Sequence, residues 1–313
     1  MKNLKLISIL GAVALLSACS LGGDVEARAP KFATMGDTVS YSDIMVTYNR
    51  LGQASELYKE EKLGDRTLKA YTADVNSLTI KRNNKEIRTE EYKQIISLES
   101  SFDYGNLVSK TVTNMTTTQK QSNQKATGSN KYVSKEEQYR QFGVALDQDA
   151  FLQVDAKTKE YFTVENITVD ADQEAIFDSY LKDSLGGLNS EFISNLVDDK
   201  NYEYHINDTV LTYLYNIDRS NNYKSNNVTT HNEHTITKFK AQIDLQDGKQ
   251  AVRISHEQTV ETTYYEDYLP DNAHKGDVNT SKETRYVEYT ISNKNVTNRP
   301  INIKDYTYAG TYQ

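Results

Sequence analysis

Five histidines, one cysteine and a scatter of paired carboxylates are the groups in this 313-residue chain that could do chemistry. His231-Asn232-Glu233-His234 is the only close histidine pair. On a helix, a spacing of three would bring both imidazoles to one side, where they could hold a metal with Glu233 in support. The pair instead precedes a strand pattern, on which the two rings would point to opposite faces. No metal site is therefore expected. His256 falls on the apolar side of a strand beside Phe239, either as a core histidine satisfied by one hydrogen bond or as a ligand-pocket residue. His205 and His274 stand alone. No serine sits in a nucleophile elbow, and no glycine-rich phosphate cradle follows a strand. The carboxylate pairs Asp198-Asp199 and Glu90-Glu91 lack an opposing pair for acid–base work. No catalytic residue and no cofactor is expected. A hydrolase would need at least two of His231, His234 and His256 beside carboxylates in one cleft.

The cysteine has a more specific setting. Lys2 and Lys5 give a positive start, and residues 6–16 form an apolar core of secretory length, too short to cross a bilayer as a stable helix. Leu16-Ser17-Ala18-Cys19 follows at once. That string resembles the lipobox of bacterial lipoproteins, which are cut before the cysteine after a diacylglycerol is attached to its sulfur. The resemblance implies that residues 1–18 are a signal peptide and that Cys19 is the lipidated N-terminus. An ordinary cleaved signal peptide is the alternative. Cys19 is the only cysteine, so no intramolecular disulfide can form, and acylation accounts for an unpaired thiol in an exported chain. The expected location is the extracytoplasmic face of a cell membrane, in the cell envelope. There the chain is anchored by acyl groups that each contribute about 0.8 kcal/mol per buried methylene.

Loss of the signal peptide removes Lys2 and Lys5, leaving 34 basic and 44 acidic side chains and a charge of about −10. That diffuse acidic balance argues against nucleic acid as a partner, because binding phosphates needs clustered Lys and Arg. With 23 Tyr and no Trp, and with Thr abundant, composition favours antiparallel sheet with one wet face.

Residues 19–37 are small and polar around Pro30 and are expected to be a flexible tether; 38–313 are expected to be a single domain. Ile44, Tyr48, Leu51, Ser55 and Tyr58 fall at helical spacing, so a helix is expected over 42–63, capped by Ser40 or Ser42. Strands are expected over 75–82, on either side of Tyr104-Gly105-Asn106, and as a hairpin joining 151–156 to 161–166. Residues 113–131, rich in Thr, Gln, Asn and Ser, read as a mobile excursion, either a loop or the far end of a long hairpin. Ser134-Lys135-Glu136-Glu137 fits either a capping box or a polar edge strand. Phe177, Leu181, Leu185, Leu188, Phe192 and Leu196 recur at helical spacing, with Gly186-Gly187 bending the run. Tyr202 to Ile217 alternate as strands, and 219–232 form a polar stretch. Asp247-Gly248 suits a type I′ turn, which places Ile243 opposite Val252, Ala241 opposite Ile254 and Phe239 opposite His256. Strands over 287–291 and 306–312 complete the chain.

This order of elements over residues 40–312 resembles the LolA or LppX half-barrel of bacterial lipoproteins and carrier proteins. The resemblance implies an α+β fold in which a large curved antiparallel sheet packs against a few helices and the concavity holds acyl chains. The first functional expectation is accordingly a non-enzymatic binding protein. Phe177, Leu181, Phe239, Ile254 and His256 would line a sheet–helix cavity for a lipid or other apolar or amphipathic ligand. The second is an interaction module that shows a Tyr- and Thr-rich sheet to an envelope protein or to cell-wall glycan.

Overall fold

The computed structural model describes residues 26–54, 66–103, 108–123, 125–145, 148–155, 159–164, 192–193, 196–293 and 303–312. They form β1 (Asp37–Val39), one helix α1 (Tyr41–Ala54), β2 (Arg66–Arg82), β3 (Lys85–Asp103), β4 (Val108–Asn123), β5 (Thr127–Ala145), β6 (Gln148–Asp155) and β7 (Glu160–Val164). There follow β8 (Tyr202–Asn207), β9 (Val210–Ser225), β10 (Val228–Gln246), β11 (Lys249–Tyr264), β12 (Asp277–Asn293) and β13 (Thr307–Tyr312). All thirteen strands make one sheet, in the order β1-β8-β9-β10-β11-β12-β2-β3-β4-β5-β6-β7-β13. Two meanders, β2–β7 and β8–β12, are joined where β12 pairs with β2 along its whole length. Every pairing is antiparallel except that of β13 with β7.

Tight turns account for this regularity. Asn83-Asn84 and Asn226-Asn227 each connect two strands through two left-handed residues, whereas at Asp247-Gly248 only Gly248 has a positive φ, so that two-residue turn is not the expected type I′ although it sets the same register. The β10–β11 register pairs Phe239 with His256, Ala241 with Ile254 and Ile243 with Val252, as the turn and the alternation dictate. The hairpin of β6 and β7 also forms, and the Thr- and Gln-rich stretch over 113–131 is the far end of the β4–β5 hairpin. Ser134 to Glu137 lie inside β5, so the strand alternative holds there. The polar stretch 219–232 forms the tip of the β9–β10 hairpin.

The chain therefore has a sheet-dominated fold rather than the α+β balance expected from its sequence. The helix expected over 42–63 runs over Tyr41–Ala54 among the described residues. Ser40 caps it in a reciprocal pair. The Asp43 amide donates to Ser40 Oγ at 3.1 Å, and the Ser40 amide and hydroxyl donate to Asp43 Oδ2 at 3.2 and 2.6 Å. Of the second helical run, only Phe192-Ile193 and the residues from Leu196 on are described.

One core sits on one face of the sheet. Ile44 from α1, with Phe192 and Leu196, closes over Leu211, Tyr213, Phe239, Ala241, Ile243, Val252, Ile254, Val287, Tyr289 and Ile291. The opposite face is crossed by residues 26–36, the part of the expected tether that is described. Ala27 packs with Tyr71, Ala73 and Ile95, and the Arg28 guanidinium lies 4.5 Å from the Tyr71 ring centre. Pro30 is buried. Lys240 Nζ sits 4.6 Å from the Phe32 ring centre, and burial draws that ammonium's pKa down. Ala33 exchanges two hydrogen bonds with the buried Gln242. Gly36 ends the crossing against β8, where a Cβ would stand 1.9 Å from the Ile206 carbonyl oxygen, so only glycine fits.

Candidate functional site

Of the residues expected to line an apolar cavity, Phe239 and Ile254 stand on adjacent strands of the core face. They are 8% and 4% exposed, inside the cluster closed by Ile44 and Phe192. Phe239 stacks on Tyr215 at 5.0 Å and on Tyr213 at 5.6 Å between ring centres. Tyr213 in turn meets Phe192 edge-on at 5.0 Å. His256 is half-buried beside Phe239, with ring centres 6.1 Å apart. The structure thus brings Phe239, Ile254 and His256 together, and the described space next to Phe239 is filled by aromatic side chains. Phe177, Leu181 and Cys19 lie outside the described residues.

The other histidines serve local structure. His231 and His234 fall on opposite faces of β10, as strand geometry requires. His231 stacks on Tyr223 at 4.5 Å and contacts Tyr268 at 4.9 Å, while His234 Nε2 meets Asp218 at 2.8 Å. His231 is eight residues from Phe239 along β10, about 27 Å at the rise of a strand, so it shares no cleft with His256. Among the described residues, no group of three His, Cys, Asp or Glu side chains is placed to hold a metal. The C-terminal tyrosines disperse. Tyr289 is in the core, Tyr286 lies on the opposite face, Tyr264 sits near the tip of β11, and Tyr308 pairs with Tyr161 across β13 and β7.

A different surface has the features of a binding site. An open groove of about 490 Å³ runs across β2, β3, β4 and β5 beyond the core, lined by Asn76, Leu78, Glu90, Tyr92, Gln119, Gln121 and Asn130 among others. Asn76, Tyr92 and Gln119 are register partners on consecutive strands, followed by Asn130 on β5, so four planar or aromatic polar side chains form one row on the α1 side. Leu78, Glu90 and Gln121 form the next row. Gln121 Nε2 donates to Glu90 at 3.1 Å, and Arg88 also pairs with Glu90, which fixes that carboxylate at the groove wall. Amides offer donors and acceptors together, and a half-buried tyrosine offers a flat ring face beside them. That combination suits polyhydroxylated ligands rather than acyl chains. Sequence reading passed over this row because no motif marks it. Its one signal is the density of Asn, Gln and Tyr at alternate positions of paired strands. A smaller cleft of about 330 Å³ lies where residues 26–36 begin to cross the sheet, between Arg28, Lys69, Tyr71, Glu99 and Glu288. Its charges are internally paired, Lys69 with Glu99 at 2.8 Å and Arg28 with Glu288 at 3.8 Å.

No protein-family model matches the chain, and no curated protein matches it. Among solved structures, the InvG secretin-domain β-barrel of the Salmonella SPI-1 injectisome aligns at 9% identity and a TM-score of 0.15, over 85% of this chain and 74% of that one. Pseudomonas aeruginosa OccK7 (OpdD) aligns at 7% identity and a TM-score of 0.17, over 73% of this chain and 99% of that one. At such scores neither alignment carries an argument about fold or function.

Proposed function

We propose that this chain is an extracytoplasmic lipoprotein, held at a membrane through a diacylglycerol on Cys19, whose body is a non-enzymatic interaction module for a polar, glycan-like ligand. The observation that carries the ligand class is the row Asn76, Tyr92, Gln119 and Asn130 along the open groove. The anchor rests on the lipobox string. Residues 26–36 add a distance to it, since docking from Glu26 onward leaves seven peptide links from Cys19, or about 25 Å at full extension. The body would then stand close to the bilayer. In this reading the long strands wrap the packed core as a half-barrel whose polar extension carries the groove. No helix of the described residues is long and apolar enough to cross a membrane.

The rival occupant, an acyl chain held by Phe177, Leu181, Phe239, Ile254 and His256, would have to displace side chains that Phe239 and Ile254 already contact. Native mass spectrometry of protein purified without its anchor separates the two readings. A bare mass, with binding to purified cell-wall glycan in sedimentation assays, is the expected result. Asn76→Ala with Tyr92→Ala should weaken that binding about tenfold, from the loss of one or two hydrogen bonds and a stacking face. A reproducible lipid adduct with no glycan binding would overturn the proposal.

A further inference from the structure

The edge formed by β9 has a step in it. β8 covers only Val210–Tyr215, so residues 216–225, paired with β10 on one side, have no strand on the other among the described residues. All ten positions are exposed except Ile217, which is half-buried. A bare edge of this length offers a row of unpaired N–H and C=O groups and pairs readily with another strand.

We propose that this edge is a self-association surface, and that a second copy of the chain adds its own β9 antiparallel across a two-fold axis perpendicular to the sheet. The step selects this arrangement. A two-fold axis sets each copy's β8 beyond the partner's hairpin turn at Asn226-Asn227, where no strand stands, so two bare stretches meet without a collision. Isologous two-fold contacts are the commonest form of self-association. The same axis keeps matching faces together, so one residue must lie opposite its own copy.

Centring the pair on Asn221 gives chemically matched partners over 218–224. Asp218 falls opposite Lys224 of the partner subunit, and Arg219 falls opposite the partner's Tyr223. Ser220 meets the partner's Asn222. Asp218 contacts His234 through Oδ1, which leaves its second carboxylate oxygen for the lysine. Tyr223 stacks on His231 with one face and remains 41% exposed, so its other face can take the guanidinium. Opposite charges and cation–aromatic pairs at directly facing positions are the pairs that stabilise antiparallel sheets.

A cysteine at the symmetry position tests this, because facing Cβ atoms in such a ladder fall within disulfide reach. In the full chain carrying Cys19→Ser, Asn221→Cys alone should oxidise to a covalent dimer at least about tenfold faster than Asn130→Cys, which sits on the β5 edge. Sedimentation equilibrium should show a concentration-dependent dimer. Lys224→Glu should weaken it about tenfold, and Asp218→Lys combined with Lys224→Glu should restore it. A monomer at all concentrations, crosslinking at Asn130→Cys instead of Asn221→Cys, or no rescue by the charge swap would overturn the proposal.

Discussion

Tyr286 shows how one side chain can report on the face that residues 26–36 cross. Its hydroxyl donates to Glu257 at 2.8 Å, and its ring packs with Tyr71, Ala73 and Ile95. Burial and then the neighbouring carboxylate disfavour the phenolate, so its pKa rises from the ordinary 10.0 to about 12. The unfolded chain loses this proton first. The contribution to stability is therefore complete below pH 10 and is lost as pH climbs from 10 through 12. Tyr264, whose hydroxyl donates to Asp271 at 2.5 Å, is shifted in the same direction, so it adds to the same alkaline window. Tyr286→Phe should remove part of the steepness without abolishing it, on the order of 1–2 kcal/mol across that interval. Thermal unfolding of wild type and variant from pH 8.5 to 12 measures this, and parallel curves would show that Tyr286 is not a source of the slope. At the acid end the sign reverses. Asp277 accepts two hydrogen bonds from Arg82, at 2.7 and 2.9 Å, and one from the His274 amide, at 2.9 Å. Those bonds hold its carboxylate below the usual range, and what they contribute fades as pH falls through that lowered value.

The segment 26–36 is the element whose role depends most on a single partner. Gln242 is fully buried and makes three hydrogen bonds, to the amide and carbonyl of Ala33 and to Thr212 Oγ1. Gln242→Ala leaves the Ala33 groups unpaired, at a cost of about 1–3 kcal/mol, and should free the segment before it unfolds the sheet. Limited proteolysis between residues 26 and 36 that is no faster in the variant would contradict this. Gly36 is needed for a separate reason, the close approach to Ile206. Neither contact was legible in the sequence, because docking by backbone hydrogen bonds needs no apolar period and the segment reads as a tether. The β10–β11 hairpin was legible because Asp247-Gly248 fixes a register that the alternation of Phe239, Ala241 and Ile243 can check. The outer parts of β9 and β10 were not, since residues 219–232 are polar on both faces and pair through their backbone. The groove was hidden for the same reason. Asn76, Tyr92, Gln119 and Asn130 come from four strands, and only the non-local register aligns them. Phe239 was placed on the correct face, yet its neighbours Ile44 and Phe192 come from distant segments that alternation cannot locate.

The whole sheet is built in two parts with different sources of stability. Near α1 it is packed on one face by the core and crossed on the other by residues 26–36. Toward the tips of β2, β3, β4 and β5 the apolar side chains are few and none is fully buried, Leu78, Ile80 and Ile87 being half-buried, and strand cohesion comes mainly from the ladder with cross-strand pairs such as Glu91–Lys120 and Thr89–Ser122. Surface pairs of this kind contribute little each, about 0.2–1 kcal/mol. Opening the outer part exposes only half-buried apolar side chains such as Leu78 and Ile80, whereas opening the core part exposes the buried Ile243, Ile254 and Val287 together. Amide hydrogen exchange should therefore separate the two. Protection over 239–245, 251–254 and 287–291 should approach that of global unfolding, and amides over 76–82, 85–92 and 117–123 should exchange at least about a hundredfold faster through local opening. Glycan bound along the groove would link β2 to β5 and raise protection in the outer part alone. Self-pairing of β9 would instead slow exchange over 216–225 and leave the β4–β5 tip unchanged. Uniform protection from core to tip in the free protein would mean that the polar ladder opens only with the core, and the two-part description would fail.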